Sequence, residues 1–189
     1  MLANIIDINE AAMTISLKQC HGGMILFDFK AAFPSLDHEY LIGCLVHLGM
    51  PRSAVNAVRS LYDQVRCLLQ FRGEVHGEID MEAGVRQGCP LSPLIFAVTV
   101  DLLLRRLSRL FPTALIRAFA DDIGAVFEDL PRDAALLMQT FSQFGDISGL
   151  YLNYPKTVVV PLYEDGLENA KILLKSKDTR WEAVDCRDL

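Results

Sequence analysis

Two apolar runs, Leu115 to Phe119 and Ile123 to Phe127, are separated only by Ala120, Asp121 and Asp122, which leaves this stretch few ways to fold. Short apolar runs bounded by turn-forming residues read as strands, so the acid pair belongs at the turn of a β-hairpin. A third run, Met24 to Phe27, reads as a buried strand and ends in Asp28. Packing these strands side by side would converge three carboxylates on one sheet edge. Asp suits turns for conformational reasons alone. A charge pair at the edge of an apolar core, however, needs a counter-ion. Hard oxygen ligands of this kind suit Mg²⁺, which keeps part of its water shell and takes further ligands from a substrate phosphate. Two such ions about 3.5–4 Å apart would clamp the attacking and leaving oxygens of a phosphoryl transfer.

The rest of the chain supplies a frame for that edge. Residues 2–19 carry helically spaced apolar positions, stopped by Gly22-Gly23. Ser35 stands as an N-cap before Leu36-Asp37-His38-Glu39, predicting a helix through Leu48, and a further helix covers 53–63. Val65 to Phe71 and Val75 to Met81, joined by Arg72-Gly73-Glu74, read as a second hairpin. Ser92-Pro93 opens a long apolar helix in cap-then-proline order. A helix over 132–144, a stop at Gly149, a strand over 157–162 and a weak helix after Gly166 complete the pattern. Such interspersed helices and hairpins predict an α+β domain with helices packed on one face of a mostly antiparallel sheet.

Composition narrows the function classes. With 189 residues, 51% hydrophobic and 22% charged, the chain suits one globular core. The longest apolar stretch, Leu91 to Leu104, is broken by Asp101, so no membrane span is expected. The N-terminus lacks the pattern of a secretory signal, and five scattered cysteines without a CxxC predict neither a disulfide framework nor a zinc site. An intracellular protein, nuclear or cytoplasmic and not secreted, is therefore expected. A net charge of −6 argues against a free-standing nucleic-acid binder, although many of the acids cluster after residue 163. Walker A, GxGxxG, GxSxG and HExxH patterns are absent.

Four blocks carry a more specific signal: Phe27-Asp28-Phe29-Lys30-Ala31-Ala32-Phe33, Gly84-Val85-Arg86-Gln87-Gly88-Cys89-Pro90-Leu91-Ser92-Pro93, Phe119-Ala120-Asp121-Asp122 and Gly149-Leu150-Tyr151-Leu152-Asn153-Tyr154-Pro155-Lys156-Thr157. In this order they resemble the palm of a reverse transcriptase, most closely the non-LTR retrotransposon and group II intron branch. The resemblance implies a polymerase palm over residues 1–163, with 164–189 an acidic C-terminal segment, and an RNA-directed DNA polymerase acting with an RNA template, a DNA primer and dNTP. It makes Asp28 and Asp121 ligands of two Mg²⁺ ions, with Mn²⁺ possible in their place. Asp122 would complete the acidic cluster and the Phe29 carbonyl would add a ligand. The Ala31 and Ala32 N–H groups would face the triphosphate, and Phe33 would lie under the sugar and exclude a 2′-hydroxyl. Gln87 and Gly88 would contact the incoming nucleotide, and Lys156 would protonate the leaving pyrophosphate or settle its charge.

Pro34 replaces an Asp common in relatives, and Phe119 replaces a Tyr. Fingers and thumb are expected to be largely missing. Two rival readings stand beside the polymerase: a non-catalytic descendant serving as a binding or scaffold module, and a palm-type nucleotidyl cyclase, which the Arg-Gln-Gly-Cys-Pro block opposes.

Overall fold

The computed structural model describes residues 2–18, 20–86 and 88–188. Strand β1 (Gly23–Phe27) is the centre of a five-stranded sheet, paired along both of its edges. Ile25 and Phe27 point into the main core, while Met24 packs into a smaller cluster on the opposite face. On one side β1 pairs antiparallel with β5 (Asp122–Phe127), which continues to β4 (Leu115–Phe119). On its other side it pairs antiparallel with β6 (Val158–Pro161), which carries the short parallel strand β7 (Asp185–Cys186). The α+β, mostly antiparallel expectation holds.

Helices α3 (His38–His47), α4 (Arg52–Tyr62), α5 (Ser92–Leu110) and α6 (Leu130–Ser148) supply the main core with Leu41, Val58, Leu103, Phe141 and their neighbours. Helix α1 (Leu2–Leu17) lies on the opposite face, where Ile8, Ala12 and Ile15 cover Val126 and Val160. Helices therefore cover both faces, with α1 alone on the second. The alternation of β5 makes this necessary: Val126 and Ala125 are both buried, so each face needs a lid. After residue 163, α7 (Gly166–Lys177) and a 3-10 turn (Thr179–Ala183) add Leu174 and Trp181 to the main core. No helix among the described residues is long and apolar enough to cross a membrane.

Two expected caps fall elsewhere. Ser35 ends a four-residue helix, α2 (Ala32–Ser35), and Asp37 caps α3 instead, its carboxylate accepting from the Tyr40 N–H at 2.7 Å. Ser92 is already inside α5, and its hydroxyl donates to the Arg86 carbonyl at 2.6 Å, tying down the preceding loop. The second hairpin forms as expected from β2 (Arg66–Phe71) and β3 (Glu74–Asp80), but it is a separate two-stranded sheet.

Candidate active site

Strand β1 ends at Phe27, opposite Ile123 of β5, so Asp28 comes one residue after and Asp122 one residue before the last β1–β5 pair. Asp121 occupies the two-residue turn between Phe119 and Asp122, beside Ala120 at φ 55°. Register alone thus brings the first and third sequence blocks to one edge. Asp28 and Asp121 are half-buried, whereas Asp122 is exposed and lines a cleft of about 410 Å³ shared with Asn4, Ile5, Leu26 and Phe119.

The fourth block fixes the backbone of Asp28. The Asp28 carbonyl accepts from the Asn153 N–H at 2.8 Å, and its own N–H donates to Thr157 Oγ1 at 3.4 Å. Thr157, fully buried, returns its hydroxyl to the Asn153 carbonyl at 3.1 Å, closing the circuit. The Lys30 N–H donates to the Tyr151 carbonyl at 2.8 Å, so Phe29 and Leu152 form an antiparallel bridge whose hydrogen bonds come from their neighbours. In such a pair the residue's own polar groups turn outward. The Phe29 carbonyl therefore faces away from the 149–157 segment, toward the side of β1 that carries β5, and no partner for it is found among the described residues. Asn153 and Thr157 are positioning residues not singled out in the sequence; their place in the fourth block, three residues before and one after Lys156, was the available signal.

These donors fit a magnesium-type ion in chemistry: carboxylates and one peptide carbonyl, with no thiol or imidazole among them. The three acids do not close into one cage, since among the described residues no group of three or more His, Cys, Asp or Glu is placed to hold a metal. Mg²⁺ does not require one, because it is held through one or two carboxylates with substrate phosphates and water.

The second block is tied to the first by a short ladder. Asp37 bridges Ala83, the Gly84 N–H donates to the Leu36 carbonyl at 2.7 Å, and the Val85 N–H donates to the Phe33 carbonyl at 2.8 Å. Phe33, half-buried, stacks on Phe96 with centroids 4.6 Å apart. Ala31 enters α2 in the left-handed region at φ 49°, and Ala32 is its first residue. Gly88 is exposed at φ 80° with open space where a side chain would stand, so its backbone is approachable; Gln87 lies outside the described residues. At Cys89 the Leu91 N–H holds the thiol below its usual range. Lys156 is exposed at the end of a 3-10 turn, Tyr154–Lys156. Arg105 and Arg106 are engaged within the chain, by Asp101 at 2.6 Å and Gln143 at 2.5 Å.

Known proteins resemble this chain in sequence and in fold. The sequence profile described as reverse transcriptase (RNA-dependent DNA polymerase) matches residues 3–180. The chain is 32% identical over 164 residues to the retrovirus-related Pol polyprotein from type-2 retrotransposable element R2DM of Drosophila melanogaster, covering 84% of this chain and 15% of that protein. It is 27% identical over 165 residues to the transposon TX1 uncharacterized 149 kDa protein of Xenopus laevis, covering 82% of this chain and 12% of that protein. The chain thus spans less than a fifth of the length of either relative. In fold it resembles telomerase from Candida tropicalis, solved with a fragment of telomeric RNA, at a TM-score of 0.67 and 13% identity, over 83% of this chain and 28% of that one. With the family profile spanning nearly all of its length, the chain belongs to the reverse transcriptase family.

Proposed function

We propose that this chain is the palm of an RNA-directed DNA polymerase that adds deoxynucleotides to a primer 3′-hydroxyl, with an RNA template and two Mg²⁺ ions, or Mn²⁺, as its partners. The observation that carries this reading is the β1–β5 register, which sets Asp28 beside the Asp121–Asp122 tip. Asp28, Asp121 and the Phe29 carbonyl would hold the ions, with Asp122 adding charge at the rim. Bound there, the ions would neutralise the triphosphate and lower the pKa of the primer hydroxyl. The chain's own groups perform the remaining tasks. The Ala31 and Ala32 N–H groups face the triphosphate oxygens, the Phe33 ring fills the space a ribose 2′-hydroxyl would need, and Gln87 and Gly88 meet the nucleotide. Lys156 brings a mobile positive charge and a proton to the oxygen on which pyrophosphate leaves. A nuclear or cytoplasmic setting accords with cysteines that are all free.

A second reading, a non-catalytic scaffold, draws on the absence of a three-acid cage among the described residues. Binding of dATP to this chain, titrated with and without Mn²⁺, separates the two. The polymerase reading expects Mn²⁺ to tighten binding, and expects Asp28→Asn and Asp121→Asn each to remove that gain while Asp101→Asn on α5 retains it. Equal Mn²⁺ dependence in all four proteins, or none in any, would favour the scaffold.

A further inference from the structure

The Gly84–Val85 peptide is held at both ends. Its carbonyl lies 2.8 Å from His38 Nε2, and its N–H donates to the Phe33 carbonyl at 2.8 Å. A carbonyl only accepts, so Nε2 carries the proton in this contact. Gly84 has φ 96°, and a side-chain carbon there would stand 2.7 Å from the Pro34 carbonyl oxygen. The loop therefore touches α2 through a residue that only glycine can be. Glycine imposes little conformational preference of its own, so the orientation of this peptide must be set from outside. His38 is suited to that task. It follows the Asp37 cap at the first position of α3, and its ring rests against the buried Tyr62 at 4.9 Å.

We infer that His38 is a positioning residue that locks the Gly84–Val85 peptide and, through the Val85 N–H, the backbone of Phe33, so that it sets how strictly the site excludes a ribonucleotide. This rests on the reading of Phe33 as the residue beneath the sugar. The Phe33 ring is steadied on Phe96, but its carbonyl is steadied by Val85, and the Val85 N–H is aimed by the group that holds the other end of the same peptide. Without the imidazole the Gly84 carbonyl loses its side-chain partner, so the Val85 N–H bond to the Phe33 carbonyl is aimed less firmly even though the Gly84 N–H still holds Leu36, and the phenylalanine gains room to retreat from a 2′-hydroxyl. A displacement of about 1 Å at such a contact is enough to change rates up to a hundredfold.

The test uses the full-length protein in primer extension, with kcat and KM measured separately for dATP and ATP. His38→Leu is expected to lower the preference for dATP about tenfold, the size of a lost steric fit, with the change falling on the use of ATP and with KM and kcat for dATP each altered less than about threefold. His38→Gln, whose amide N–H can reach the same carbonyl, is expected to restore most of the preference. Hydrogen exchange on the same proteins reads the lock itself: in His38→Leu the Val85 amide should lose protection while the β1 amides keep theirs. An unchanged dATP preference together with a protected Val85 amide overturns the inference. If the unmodified protein extends no primer, the polymerase reading falls and the claim about sugar selection with it. Val85 exchange then still decides whether His38 holds the peptide.

Discussion

The described residues form two β-hairpins with two-residue turns, and they are stabilised in opposite ways. In the β2–β3 hairpin the turn is Arg72-Gly73 with φ of 52° and 85°, the left-handed pair that twists strands together; Arg72 bears the same left-handed strain as Ala120, but glycine fills the second position at no steric cost. Its strands, however, are exposed almost throughout: Leu68 is 60% and Phe71 62% accessible. In the β4–β5 hairpin the turn places an alanine at φ 55° next to two acids, a locally poor choice. Its second strand is nevertheless packed on both faces, and Phe127 is fully buried. The difference teaches where strain is tolerated. A turn that presents carboxylates can depart from local preference because tertiary packing holds it, whereas a hairpin without such packing depends on its turn.

The largest effect that would test this contrast is the loss of packing. Phe127→Ala should cost about 3–5 kcal/mol in urea unfolding, since its ring lies against Phe111 at 5.5 Å in the main core. A cost under about 1 kcal/mol would mean that β5 is not what holds the tip. Next come the turns. Ala120→Gly should stabilise by about 0.5–1 kcal/mol by relieving the left-handed alanine, and Gly73→Ala should destabilise by a similar amount. Stabilisation by both changes would break the comparison. The smallest effect belongs to the exposed strands, where Phe71→Ala should change stability by no more than about 0.5 kcal/mol. The ion pairs of Arg66 with Glu78 and Asp80 lie in the same exposed sheet and add little to it.

Much of this architecture was legible in the sequence, for identifiable reasons. The hairpin that carries Asp121 and Asp122 follows from two short apolar runs around an acid pair, and the strand before Asp28 from the same pattern. Both are local signals. The misplaced caps at Ser35 and Ser92 show the limit of such signals, because several polar residues near a helix start are equivalent until the surrounding chain chooses one. Asp37 was chosen as part of a bridge to Ala83, and Ser92 was diverted to the Arg86 carbonyl. Helix α1 on the second sheet face followed from the double-sided burial of β5, which a short apolar run does not disclose. At the site, the carboxylates could be found by motif. The bonds that hold the site, the Asn153 N–H to the Asp28 carbonyl, the Asp28 N–H to the Thr157 hydroxyl and the Val85 N–H to the Phe33 carbonyl, join groups far apart in the chain, nearly all of them backbone, and leave no mark in composition or periodicity.

The central claim is that the edge formed by β1 and the β4–β5 tip is a catalytic centre. It is tested most directly by primer extension on an RNA template with the full-length protein, comparing Asp121→Asn with the unmodified sequence. The account predicts template-dependent extension by the unmodified protein and its abolition in Asp121→Asn, with thermal stability unchanged. Full extension by Asp121→Asn would contradict it.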